Sequence, residues 1–202
     1  RRKAGKKLKP LVEAQLAELG MAEATFDVDL TPLDGDATAA GLDRIELMIC
    51  PNPGQAPSPL RNIASGGELS RIMLGLKSIL ASSDRVSVMV FDEIDANIGG
   101  RLGSVVGRKM RQLAHANGGD VAHQVLCITH LPQIAAFADR HLHIEKTIDG
   151  SDTRTQVNAV TGDRQLAELA EMMSGKNFTD ASLAQAADLL RTAELDACEP
   201  CK

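Results

Sequence analysis

Three stretches of this 202-residue chain carry residues whose types and spacing could do chemistry. The first, Ile63 to Leu74, reads IASGGELSRIML and opens an apolar-faced helix. Ser65 and Glu68 fit a capping box, in which the serine side chain accepts from the backbone three residues on. Capping does not account for Gly66 and Gly67, because each glycine costs a helix about 1 kcal/mol against alanine. Two glycines in a first turn make sense where another object approaches the backbone closely. A helix N-terminus offers free N–H groups and partial positive charge, which suit an anion, most often phosphate. On this stretch alone, capping and phosphate binding both stand.

The second stretch is Asp92-Glu93, which closes the apolar run Val86 to Phe91. Ligands of open α/β sheets bind at the carboxyl ends of strands. An acid there can hold Mg²⁺, which prefers oxygen ligands and keeps several waters. A neighbouring acid can orient or deprotonate an attacking water. The plainer alternative is a pair of loop acids capping the next helix. The third stretch is Thr129-His130, closing the apolar run that starts at Gln124. A lone histidine at a strand end is commonly structural. On a rim shared with Glu93 it could instead bond a terminal phosphate and sense its loss.

Several elements must position these residues. Leu8, Leu11, Val12, Leu16 and Leu19 recur at helical spacing, with Gly20 as a stop and Pro10 as a start or a kink. Two strands, 25–30 and 44–50, follow, separated by the loop TPLDGDATAAG. Pro51 to Pro59 holds four prolines and must be irregular. Beyond it, helix and strand alternate. Leu69, Ile72, Met73, Leu76, Ile79 and Leu80 stripe one helix, and Leu102, Val105, Val106, Met110 and Leu113 stripe the next. After the strand ending at His130 come a short helix from Pro132 to Ala138, the strand HLHIEK and a strand from Arg154 to Val160. Two helices follow, carrying Leu166, Leu169 and Met173, then Leu183, Ala187 and Leu190. This alternation, with continuously apolar strands, predicts an α/β fold with a mainly parallel sheet covered by helices on both faces. His141 and His143 share one strand face and read as structural.

Composition narrows the function classes. Aromatic residues make up 2% of the chain, with no Trp and no Tyr, which argues against a nucleic-acid site built on stacking platforms. Net charge is −5, yet Arg1, Arg2, Lys3, Lys6, Lys7 and Lys9 crowd the N-terminus. That run is either a solvated face or a patch for phosphate. Cys50 and Cys127 sit in apolar runs as buried thiols. Cys198 and Cys201 form a CxxC without a second pair nearby, which reads as an incidental tail rather than a metal site. No apolar run reaches membrane-spanning length, and no secretory signal is visible, so a reducing cytoplasm is expected.

The three stretches occur in an order that resembles the C-terminal half of an ABC-type ATPase head. Ser65-Gly66-Gly67-Glu68 with Arg71 looks like the signature motif, Val88 to Glu93 like Walker B with the catalytic glutamate, and His130 like the switch histidine. Asp92 to Arg101 covers the D-loop, with Gly99 where many such proteins have aspartate. ASGGELSRIMLGLKSIL, FDEIDANIGGR, QVLCITHLPQIAAFADRHLHIEK and the preceding PNPG are similar to the RecN family, SMC-like ATPases of bacterial DNA double-strand-break repair. No G-x-x-x-x-G-K-[ST] is present. The nearest decoy, Gly103 to Met110, has the wrong spacing and lies in an apolar-striped helix.

The resemblance implies an ABC/SMC-type head lobe at residues 21–195, a base of the returning coiled coil at 1–20 and a flexible tail at 196–202. It implies ATP and Mg²⁺ as cofactors. Asp92 would take the metal, Glu93 and His130 would be catalytic, and Ser65, Gly66, Gly67, Glu68 and Arg71 would bind nucleotide. Implied partners are double-stranded DNA and DNA ends, a second copy joined through ATP-sandwiched heads, and the missing N-terminal Walker A lobe; no membrane is implied. A cytoplasmic, nucleoid-associated piece of a longer ATPase, inactive alone, is the expectation. A transporter ABC domain and a non-catalytic dimerisation module are the rivals.

Overall fold

A computed structural model describes residues 1–33, 35, 39, 41–83, 86–116, 123–149 and 152–198. It divides into two compact units, Arg1–Asn97 with Leu113–Cys127, and Ile98–Gln112 with Ile128–Lys202.

The first unit opens with helix α1, Arg2–Glu18. The helix starts well before Pro10 and runs through it. Proline removes one backbone donor from the ladder, and burial of Val12 and Leu16 on the same helix offsets that loss. Gly20 ends α1 with φ 80°. Its N–H donates to Ala17 O (3.2 Å), and Met21 N–H donates to Leu16 O (2.9 Å), the bond pattern of a Schellman stop. Strands β1 (Thr25–Pro32) and β2 (Asp43–Cys50) pair antiparallel, and a two-residue strand β3 (Ser58–Pro59) adds to β2. Helix α2 (Gly66–Leu80) lies against α1. Val12, Leu16, Phe26, Ile49, Ile72 and Leu76 from these elements form one core.

Strands β4 (Val88–Phe91) and β5 (Gln124–Cys127) form the parallel pair, in the register Val88↔Gln124 to Phe91↔Cys127. His123, only 6% exposed, sets their start: its Nδ1 lies 2.7 Å from Val86 O and its Nε2 3.2 Å from Ala81 O. Met89 and Phe91 point inward, whereas Val88 (46%), Val90 (62%) and Leu126 (41%) on the other face are exposed. Apolar runs on both faces predict cover on both sides; here one face is covered and the other bare.

The second unit holds helix α3 (Gly100–Ala114) up to Gln112, and α4 (Pro132–Ala135). Strands β6 (His141–Asp149) and β7 (Asp152–Val160) make an antiparallel hairpin, and α5 (Asp163–Ser174) and α6 (Asp180–Cys198) follow. Phe137, Leu169, Ala170, Ala186 and Ala193 are its core. Gly103 and Gly107 are one helical turn apart in α3, and Cβ atoms there would meet Leu131 at 3.2 Å and Phe137 at 2.6 Å. These glycines therefore serve close packing, in keeping with rejection of Gly103 to Met110 as a phosphate loop.

The α/β class holds, with a narrower parallel element than the sequence suggests. Of the three sheets among the described residues, only β4–β5 is parallel. Periodicity reports which faces are apolar but not which strand lies beside which, and hairpin partners read like crossover partners. The loop TPLDGDATAAG lies partly outside the described residues, as does Cys201. Among the described residues, no helix is long and apolar enough to cross a membrane.

Ile72 is fully buried at the meeting of α1, α2 and the antiparallel sheet. Ile72→Ala should cost about 2–5 kcal/mol in urea unfolding. A loss below about 1 kcal/mol would contradict this core.

Candidate nucleotide site on the first unit

Ser65 is the N-cap of α2, and its side chain accepts from Glu68 N–H at 3.4 Å. Gly66 and Gly67 are therefore the first two helical residues, and Glu68 is the third. The capping half of the motif is present, and it leaves the glycines to be explained.

The loop that follows β4 explains one of them. It runs from Asp92 to Asn97 and lies on the first turn of α2. Glu93 (φ 57°) and Asn97 (φ 60°) bracket it in the left-handed region. A non-glycine residue there costs on the order of 1–3 kcal/mol and persists only where its surroundings fix it. Here they do. Ser70 Oγ donates to Asp92 O (2.8 Å). Arg71 Nη1 donates to Ile94 O (3.3 Å) and Ala96 O (3.2 Å). Ala96 N–H closes a turn onto Glu93 O (2.9 Å). Gly67 is buried beneath this loop: a Cβ on it would stand 2.9 Å from Glu93 O and 2.9 Å from Ala96 Cβ.

Gly66 differs. It is exposed, and a Cβ there would meet the Glu93 carboxylate Oε2, the far end of a flexible side chain. The carboxylate thus lies over the positive end of α2, a favourable place for negative charge. Asp92 is exposed beside it, and its Oδ1 accepts from Glu93 N–H (2.9 Å).

Two residues of the motif face the loop of their own chain. Arg71 is 8% exposed and turned inward onto the loop carbonyls, so its guanidinium is not presented to a ligand. Burial pushes its pKa below the ordinary arginine value, with the charge of Glu68 acting in the opposite direction. Gly67 is needed for packing beneath the loop of its own chain. Spacing in the sequence placed both on the motif but could not show which side of the helix they face. Ser70 was missed altogether, since a lone helical serine carries no signal of its partner.

Ser65, Gly66, Glu68, Asp92 and Glu93 all belong to the first unit. His130 belongs to the second. It is exposed, three residues beyond the end of β5, next to Thr129, whose Oγ1 accepts from Leu131 N–H (3.0 Å) at the start of α4. Within that unit it lines an open cleft of about 630 Å³ with Gln133, Met173, Asp188 and Thr192.

The donor set fits a phosphate-bound Mg²⁺ rather than a metal held by protein alone. Among the described residues, no group of three or more His, Cys, Asp or Glu could hold a metal ion. Mg²⁺ in phosphoryl-transfer sites uses one or two carboxylates, with waters and substrate phosphates as its other ligands. Asp92 can supply one carboxylate, and Glu93 beside it remains available to act on water.

No family model matches the chain. DNA repair protein RecN of Streptomyces coelicolor is 39% identical over 207 residues, covering 97% of this chain and 35% of that protein. DNA repair protein RecN of Treponema pallidum is 41% identical over 185 residues, covering 89% of this chain and 31% of that protein. The chain thus spans about a third of the length of the curated relatives it matches. A crystal structure of the Smc head domain with an extended coiled coil, bound to the C-terminal domain of ScpA and derived from Pyrococcus furiosus, matches with a TM-score of 0.50. It is 16% identical and covers 76% of this chain and 35% of that chain, a likeness of fold.

Two measurements test this geometry. Gly67→Ala should lower stability by about 1–3 kcal/mol, because the loop backbone must yield, whereas Gly66→Ala should cost less because the Glu93 side chain can swing aside. Equal losses in urea unfolding would refute the distinction. Cys127, at the end of β5, has its thiol pKa pushed up to about 12 by burial and then by the charges of Asp95 and Asp92. A raised thiol pKa keeps the sulfur protonated and poorly nucleophilic below that pH. Cys127 is half-buried rather than fully buried as its apolar run suggests; mass-spectrometric mapping at mildly alkaline pH should show it alkylated far more slowly than a model thiol, and alkylation at the model rate would exclude the raised pKa.

Proposed function

Because the chain belongs to the RecN family of SMC-like proteins, we propose that it is the C-terminal half of an ATPase head from a DNA repair machine. The observation that carries this reading is the seating of the Asp92-Glu93 loop on the Ser65-Gly66-Gly67 helix start. In the proposed division, residues 1–20 form the base of a returning coiled-coil helix, 21–195 the head lobe and 196–202 a tail.

In the proposed mechanism, Asp92 would hold the Mg²⁺ of bound ATP. Mg²⁺-ATP supplies the phosphoryl bond that is broken. Glu93 orients the attacking water and accepts its proton. His130 donates a hydrogen bond to the terminal phosphate. Ser65 and Gly66 present the N-terminus of α2 to ATP held by a second copy, so that two heads close around nucleotide and part after hydrolysis. Catalysis of this kind rests on positioning and electrostatics more than on covalent chemistry.

The bare face of β4–β5 supports a further partner. Val88, Val90 and Leu126 would be covered by the N-terminal lobe that carries Walker A. Without that lobe the chain would not turn over ATP. Double-stranded DNA and its ends are the proposed substrate of the assembled machine, which would work in the cytoplasm on the nucleoid.

Glu93→Gln in the full-length protein should retain ATP binding and lower the turnover rate at least about 100-fold, the scale of a lost general base. Steady-state hydrolysis near the wild-type rate would sink the assignment.

A further inference from the structure

In the dimer reading proposed above, one chain serves two ATP molecules. Ser65 and Gly66 attend the nucleotide of the other copy, and Asp92 and Glu93 attend their own. Inside the chain these two sets are joined by a short, fully specified path. Ser65 caps α2, and Ser70 and Arg71 lie in its second turn. From there, Ser70 Oγ reaches Asp92 O at 2.8 Å, and Arg71 Nη1 reaches Ile94 O at 3.3 Å and Ala96 O at 3.2 Å. Gly67 has no spare room against Glu93 O and Ala96 Cβ. The N-terminus of α2 and the backbone of the acidic loop must therefore shift together.

Stability alone does not account for Arg71. It is a buried cation, 8% exposed, and its Nε has no hydrogen-bond partner. A buried polar group left unpaired carries a desolvation penalty. An apolar side chain of similar length would fill the space without that penalty, but it could not hold two carbonyls at once. The two bonds fall on Ile94 and Ala96, just after Glu93 with its left-handed backbone. Releasing them frees Glu93 to relax toward an ordinary conformation and moves its carboxylate.

We infer that Arg71, assisted by Ser70, is a positioning residue that latches the Glu93 loop to the first turn of α2 and so couples engagement of one ATP to turnover of the other. It acts through the loop backbone and does not touch nucleotide. This inference rests on the proposed ATPase function for its consequence, and on the observed bonds for the latch itself.

The test uses the full-length protein with Arg71→Met, Arg71→Lys and Ser70→Ala. Hydrogen exchange by mass spectrometry should show amides of 92–97 exchanging about tenfold faster or more in Arg71→Met, as expected when a locally stabilising contact is lost. The kcat for ATP should fall about 10- to 100-fold while KM stays within about twofold, the signature of a lost positioning interaction rather than lost binding. Arg71→Lys, which can still reach one carbonyl, should recover part of kcat, and Ser70→Ala should give a smaller loss in the same direction. A raised KM with unchanged kcat would make Arg71 a nucleotide ligand and overturn the inference. So would unchanged exchange across 92–97. If Arg71→Met fails to fold, Ser70→Ala decides by the same two readouts. Normal turnover by Glu93→Gln would remove the ATPase reading, yet the exchange measurement would still establish or refute the latch.

Discussion

One constraint organises the first unit: the backbone carbonyls of a six-residue acidic loop must find donors, and α2 supplies them. A turn this tight turns its carbonyls away from any regular ladder. Unpaired and buried, each would cost on the order of 1–3 kcal/mol. Ser70 and Arg71 answer for Asp92, Ile94 and Ala96, and the loop answers for Glu93 through Ala96 N–H. Only with those partners in place can Glu93 hold its left-handed backbone. The exposed acids at the tip are thus set by Ser70 and by the buried Arg71 beneath them.

This grip is only as firm as the position of α2, which the core beneath it sets. Val12 and Leu16 of α1 and Ile72 and Leu76 of α2 share one apolar cluster with Phe26 and Ile49 of the antiparallel sheet. Gly75 lets the helices meet closely, since a Cβ on it would stand 3.3 Å from Gln15 Cβ. On the other side, His123 fixes where β4 and β5 begin. The loop is held between a helix anchored on one core and a strand pair anchored by a buried imidazole.

Much of this was legible in the sequence, for physical reasons. Helical stripes such as Leu69, Ile72, Met73 and Leu76 report burial directly, and the α2 cap follows from the Ser65 and Glu68 spacing. The paired acids after an apolar strand marked the loop. What stayed hidden is directional. Arg71 belongs to the motif by spacing, yet whether it faces solvent or the loop depends on a partner more than twenty residues away. The bare side of Val88 and Val90 was equally hidden, because an apolar residue reads alike whether its cover lies in the same chain or elsewhere. Pro10, readable as a start or a kink, does not start the helix, because core packing of Val12 and Leu16 outweighs one lost hydrogen bond.

The two adjacent glycines, indistinguishable as letters, answer to different masters. Gly67 is demanded by Glu93 O and Ala96 inside its own chain, whereas Gly66 is closed off only by a side chain that can move. A relative that had abandoned nucleotide altogether would still need glycine at the second position to fold its loop. The first position carries no such internal debt. In comparing descendants of this fold, a side chain is therefore expected at the first position long before one is tolerated at the second.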